Sequence, residues 1–430
     1  MERKTVIAIT LFILAPLVSS RASQEQVDAN DFQTLRNYLR YASLNNADLK
    51  AAFHQWKAEV EQIPQAKSLP DPKFTYGYFI EEVETRVGPQ RQKFELMQTF
   101  PWFGVIEART DQAAAKAKAA YKKYEAKKLD LFYQVKFAFY EYSYLAKAIE
   151  ITRENLELVT YFEEIARQRY TTSITTHPDI IRAQIELAVL EDRLSSLNEL
   201  RPAITAKLNS ILNRPATEEL PWPKANEYRQ VSIDFPQLYS MIIQNNPDLQ
   251  ALDYEIEAVR NSEKLAKKKS YPNLGLGVGY IDTAHARATG MNISDSGKDP
   301  VIAMVSLNIP IWANNYKAAQ RQAQEQLHQK TYEKMQTENT LGAKAQQLLY
   351  EFEDSDRKIR LYKDVIIPKS KEMLTASQTS YKAGTIDFLS LTDAQRMLLK
   401  YELFYERLIS ENAQKLAGLE MLAGTEIPQK

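Results

Sequence analysis

Histidine is the side chain best suited to hold a transition metal, and His54, His177, His285 and His328 are scattered, no two of them four residues apart as on a zinc-binding helix. The run GLGVGY, Gly275 to Tyr280, lacks the spacing of a dinucleotide loop and leads into no helix, so glycines facing a crowded barrel interior fit it better. EFEDSDRK, Glu351 to Lys358, gathers acids on a helical stretch and reads as a solvated face. With no cysteine there are no thiolate ligands, thiol nucleophile, disulfides or lipid-bearing cysteine. Three aspartates fit roles at helix ends or on helix surfaces. Asp179 follows Pro178 in a first helical turn, where exposed N–H groups and the helix dipole favour a carboxylate. Asp387 fits an N-cap, and Asp393 has Arg396 three residues on, the spacing of a surface ion pair. These residues assign no catalytic group, no cofactor and no metal.

The elements that carry these side chains are mostly helical. Glycine contributes 12 of 430 residues, and 26% of the chain is charged, a mix that favours long helices. The 55 basic and 55 acidic side chains cancel, which argues against a nucleic-acid partner. The aromatic stretch DLFYQVKFAFYEYSYL near 130–145 has no basic stripe beside it and reads as helix packing. At the start, Arg3 and Lys4 precede an apolar run from Val6 to Val18, with small residues after it; residues 1–22 read as a secretory signal peptide. Beyond it no stretch is long and apolar enough for a transmembrane helix, so any membrane part must be built of strands.

The chain is duplicated. NNADLKAA (Asn45 to Ala52) returns as NNPDLQAL (Asn245 to Leu252), KSLPDP as KSYPNL, TFPWFG as NIPIWA, and RYTTSITTHPDIIRAQ as SYKAGTIDFLSLTDAQ. Each repeat, 23–213 and 236–430, reads as a helix, a two-strand hairpin, a very long helix and a returning helix. The helices are expected at 32–67, 103–169 and 178–213, then at 236–269, 312–380 and 387–423, with hairpins at 70–101 and 272–310 and a Pro-rich connector at 214–235. Ala183, Leu187, Leu190, Leu194 and Leu197 alternate steps of four and three, as do Ala394, Leu398, Tyr401, Tyr405 and Leu408, which marks coiled-coil seams. The long helices would each extend on the order of 100 Å, and a returning helix covers only about half of that, so the first helix of each repeat should stack end to end with it. Period-two alternation in KFTYGYFIEE, QKFELMQTF and the two runs of the second hairpin gives four strands of about ten residues, the length of a tilted membrane strand. Four strands cannot close a barrel in lipid, so the chain must oligomerise around a shared axis.

In this order, twice over, QTFPWFG before a long helix, NNPDLQAL at a helix start and YKAGTIDFLSLTDAQ at a helical turn resemble the TolC-type outer-membrane efflux proteins, across nearly all of the mature chain. The resemblance implies a homotrimer, mainly α with a membrane β-barrel part: a long antiparallel α-helical barrel continuing into a 12-stranded β-barrel, four strands per protomer. It implies a passive duct through the outer membrane lipid, extending into the periplasm, that docks a periplasmic adaptor protein and an inner-membrane pump of a tripartite efflux or type I secretion system. It assigns adaptor docking to the turns at Tyr170 to Thr175 and Tyr381 to Ile386, with Ser173 in the first turn where the second has Gly384. It matches Asp393 to an acidic residue lining the closed entrance, with Ser390 at a second acidic position and Asp179 at the corresponding place in the first repeat. Asp179 is thus a helix-end carboxylate or a pore residue, and Asp393 an ion-pair partner or a gate. The alternative reading of the whole is a periplasmic coiled-coil scaffold or tether without a channel.

Overall fold

The computed structural model describes residues 32–172, 177–224, 228, 230–287 and 294–428. The signal peptide expected at 1–22 lies outside the described residues, as does Ser173. The helices are α1 (Leu35–Asn45), α2 (Ala47–Lys67), α3 (Val105–Thr171), α4 (His177–Leu212), α5 (Phe235–Asn245), α6 (Pro247–Lys268), α7 (Ala313–Leu361), α8 (Ile367–Ala383) and α9 (Phe388–Ala423). The strands are β1 (Lys73–Val83), β2 (Gln90–Phe100), β3 (Leu274–Thr283) and β4 (Val301–Leu307).

Two single helices expected at the repeat starts are each broken in two, and the repeated octapeptide is the break. Asn46 is not helical (φ −58°, ψ 127°), its side chain accepts from the Leu49 N–H at 2.9 Å, and its amide donates to the Ile211 carbonyl at 2.8 Å. Asn246 accepts from the N–H groups of Asp248 and Leu249 at 3.0 and 3.2 Å and donates to the Leu422 carbonyl at 3.0 Å. Each asparagine therefore caps one helix and occupies an orphan carbonyl at the end of the returning helix of its own repeat. The NN-D-L pattern recurs because both repeats need the same two-ended pin where the stacked helices meet.

The long helix expected over 312–380 is also interrupted. A π-helical segment, Tyr362–Ile366, separates α7 from α8. Pro368 is the cause: it has no N–H for the carbonyl four residues back, and its ring crowds that carbonyl, so the ladder widens by a residue instead of ending. The matching α3 has no proline and runs unbroken for 67 residues, about 100 Å.

Towards the sheet, helices lie side by side in the order α2, α3, α6, α7; towards the tip the order is α4, α3, α9, α8. One long edge of the protomer is thus α2 and α4, the other α7 and α8. Aromatic residues in the 130–145 stretch are spent on packing: Phe139 and Tyr142 are buried with Tyr38, Leu208 and Leu220. Leu238, Ile242, Phe352, Leu419 and Leu422 form the corresponding cluster of the second repeat. Of the seam positions, Ala183, Leu190, Ala394, Leu398 and Leu408 are buried, while Leu187, Leu194, Leu197, Tyr401 and Tyr405 are half-buried. The 351–358 stretch departs from a solvated face. Phe352, Ser355 and Asp356 are buried, Asn412 donates to Ser355 at 2.8 Å, and Tyr228 of the connector donates to Asp356, because this face lies beneath α9 and the connector. Burial pushes the Asp356 carboxyl up, opposed by Arg360.

The strands form one antiparallel sheet in the order β1-β2-β3-β4. β4 has seven residues, shorter than the ten expected, because the ladder stops at Leu307, ahead of Pro310. Cross-strand rows put Phe74, Leu96, Val278 and Ala303 on one face, followed by Tyr76, Phe94, Tyr280 and Val301. The other face carries Thr75, Lys93, Glu95, Met97, Met304, Ser306 and the glycines 275, 277 and 279. Room for a side chain is missing there: a Cβ on Gly275 would fall 2.2 Å from the Ser306 hydroxyl. β1 pairs only with β2 and β4 only with β3, so both outer edges carry unpaired backbone groups.

Candidate functional site at the helical tip

α8 stops because Gly384 takes a left-handed conformation (φ 76°) that lets the N–H groups of Gly384 and Thr385 bond back to the Tyr381 and Ser380 carbonyls, each at 3.0 Å. A Cβ there would be strained by that φ and would sit 3.1 Å from a guanidinium nitrogen of Arg169. Asp387 then caps α9, accepting from the N–H and hydroxyl of Ser390 at 2.9 and 2.7 Å. Those two bonds hold its carboxyl below the usual carboxylate range, with Arg182 adding to the effect.

The two turns at the tip place their tyrosines differently. Tyr381 is 2% exposed, lies edge-on to Phe388 at 5.5 Å, and carries the Arg169 guanidinium 4.5 Å above its ring. Since Arg169 belongs to the first repeat, this stack ties the end of α3 to the turn after α8; Lys382 adds a hydrogen bond to the Tyr161 hydroxyl on α3 at 2.9 Å. Tyr170 is 45% exposed, with the His177 ring at 5.6 Å. Tyr381 is a core residue of the tip, and Tyr170 is open at its surface.

Asp179 sits in the first turn of α4, buried, with Arg182 at 3.4 Å. Asp393 is exposed (side chain 59%) and Arg396 is 3.9 Å away, at the limit of an ion pair. Arg396 is engaged elsewhere: its Nε donates at 2.8 Å to Glu186 on α4, and its Nη2 reaches the same oxygen. The two-donor bond to a buried carboxylate outweighs one contact to a solvated aspartate, so Asp393 is left facing outward. Glu186 was missed by sequence reasoning. Its signal was available, because 211 residues on from Glu186 is 397, next to Arg396, so opposite charges face each other across the repeat axis. Gln395 donates to Asn155 at 3.1 Å in the interior beside this pair.

No group of three His, Asp or Glu able to hold a metal occurs among the described residues, and no helix among them is long and apolar enough to cross a membrane. What the geometry offers is a rod of paired helices, with a sheet at one end that is open on both sides.

The family described as "Outer membrane efflux protein" matches residues 39–214 and 238–425, one match per repeat. The chain belongs to the outer membrane efflux protein family. A relative, the cobalt-zinc-cadmium resistance protein CzcC of Cupriavidus metallidurans, is 20% identical over 398 residues, 91% of this chain and 90% of that one. Among solved structures, CusC superposes with a TM-score of 0.76 at 14% identity, covering 91% of this chain and 92% of the other. VceC of Vibrio cholerae superposes with 0.73 at 16%, covering 92% and 97%. Likeness at this identity carries the fold: the efflux protein described here has the mostly helical body and small sheet of the outer membrane channels it superposes on.

Proposed function

We propose that three copies of this efflux protein close head to tail into a 12-stranded β-barrel in the outer membrane, continued by an α-helical barrel in the periplasm, and that the assembly is the passive exit duct of a tripartite efflux or type I secretion system. The carrying observation is that every layer of the protomer ends in an open edge on the same two sides, and that the strand edges among them are unpaired. β1, α2 and α4 lie on one side; β4, α7 and α8 lie on the other. Each unpaired backbone group costs several kcal/mol in hydrocarbon, so two open strand edges cost on the order of tens of kcal/mol, far more than a domain's stability. Edges that differ from each other favour a heterologous contact, which closes into a ring when its rotation divides a full turn, here into thirds. The apolar rows of the sheet would then face lipid, and the Lys93–Glu95 face would line the lumen.

Transport would use no chemistry of the chain's own. The helical tip would be narrowed at rest to a pore that still passes small ions, a periplasmic adaptor would dock at the two turns through Tyr170, Ser173 and the Gly384 turn and widen it, and an inner-membrane pump would supply the energy. Asp393, solvated while Arg396 pairs with Glu186, would act on ions at the entrance. The test is the mass of the detergent-solubilised protein together with its conductance in planar bilayers. Three copies per particle and a steady conductance are expected. A folded, water-soluble monomer without conductance would establish the coiled-coil scaffold instead.

A further inference from the structure

Above Asp393 the tip changes sign. Asp393, Arg396, Lys400 and Arg407 stand at steps of three, four and seven, one heptad stripe along α9; Asp179, Glu186 and Arg193 stand at steps of seven along α4. A cleft of about 640 Å³ opens between these stripes, within the size range of small-molecule sites. Its floor is apolar, formed by Leu190, Leu399 and Leu403, all buried, with the half-open ring of Phe404 beside them. Its rim is cationic, with Arg193 from α4 and Arg396, Lys400 and Arg407 from α9. Two of the four are neutralised: Arg396 by Glu186, and Arg407 by Glu141 at 2.7 Å and Glu411 at 3.2 Å. Among the described residues, Arg193 and Lys400 have no ion-pair partner, and they come from opposite walls of the cleft.

We propose that this cleft is a transit site for amphiphilic organic anions, an apolar body lying on the leucine floor and a carboxylate or sulfonate held between Arg193 and Lys400. The inference rests on the conduit reading, since Lys400 shares its helical face with Asp393 and faces the lumen only if Asp393 does. It goes beyond that reading by naming a cargo chemistry. The paired arginines keep the cleft from collapsing, while the unpaired cations supply the charge-assisted bonds that a neutral or cationic solute cannot use. A site with two exposed cations at its rim holds its ligand loosely, which suits a duct that must release what it receives.

The test is single-channel recording from the full-length protein in planar bilayers, with 1-naphthalenesulfonate as the probe and 1-naphthylmethylammonium, of similar size and opposite charge, as the control. The wild type should show concentration-dependent flickering block by the sulfonate and none by the ammonium. The double variant Arg193→Gln/Lys400→Gln should keep the open conductance and raise the half-blocking sulfonate concentration roughly tenfold or more. Lys400→Gln alone, an exposed change that leaves folding intact, should give part of that shift. Equal block in wild type and variants, or equal block by both probes, overturns the anion site while leaving the duct standing. Absence of any conductance overturns the duct and the site with it.

Discussion

The two repeats keep the same pins and differ at the tip. Asn46 and Asn246 each cap a helix and hold the end of a returning helix, and both sit where the stacked helices meet. At the turns the likeness ends: Tyr381 is buried under Arg169 beside a left-handed glycine, and Tyr170 is open. The long helices diverge as well, α3 running unbroken while its counterpart is widened by a π segment next to Pro368. The joints at mid-height are alike because each pin closes within its own repeat, Asn46 on Ile211 and Asn246 on Leu422. At the tip, where one repeat leans on the other, the two copies are free to take different roles.

The comparison is tested most severely at the pins. Asn246→Ala removes two capping acceptor contacts and the bond to Leu422 from a buried site, and should cost about 2–3 kcal/mol; Asn46→Ala, half-buried, should cost about 1. Thermal unfolding of the helical signal in detergent reads both, and equal losses would break the claim that burial sets the difference. Next in size, Arg396→Met leaves Glu186 buried without its cation. Because Arg396 is itself half exposed, about 1–3 kcal/mol is expected, felt as loosening of the tip in hydrogen exchange on α4 and α9 near Glu186 and Arg396 and not at the sheet. Gly384→Ala should cost about 1–2 kcal/mol through its positive φ, and chiefly loosen the Tyr381–Arg169 stack.

The pH response sharpens the contrast between tip and connector without changing either fold. Asp387 has a folded pKa below its unfolded value, so its cap contributes stability above the ordinary carboxylate range and loses it as pH falls through the folded pKa. Asp356 has a folded pKa above its unfolded value, so its contribution is full below the unfolded pKa and is lost as pH rises through the folded one. Acidification through the carboxylate range should therefore raise hydrogen exchange at the start of α9 relative to the α7 face under the connector. Asp387→Asn should flatten the first response, and Asp356→Asn the second.

Much of this was legible in the sequence because duplication and periodicity report directly on helices and strands. Val105–Thr171 lies within a few residues of the proline-free range 103–169, and Phe388–Ala423 of the range 387–423 marked by its heptads. The two mid-helix breaks were hidden because asparagine inside an apolar helical rhythm reads as a tolerated polar residue, and only the distant carbonyls of Ile211 and Leu422 reveal its second bond. The π segment was hidden because Pro368 predicts a disturbance without saying whether the helix ends or widens. Asp356 was misread because its helix face looks acidic in sequence, and only the connector folded over it makes it interior. At the tip, the partner of Arg396 required knowing that α4 and α9 meet, which the repeat offset contained and the local motif did not.

A closed barrel requires neighbouring copies to complete the edges that one chain leaves open. The chain contains no cysteine, so it offers a clean background for pairing one introduced on β1, Thr75→Cys, with one on β4, scanned over Ile302→Cys and Met304→Cys. Oxidised in outer membranes and run without reductant, at least one pair should yield covalent dimers and trimers and nothing larger. Monomer alone from every pair, in membranes that hold the folded protein, would contradict the closed barrel.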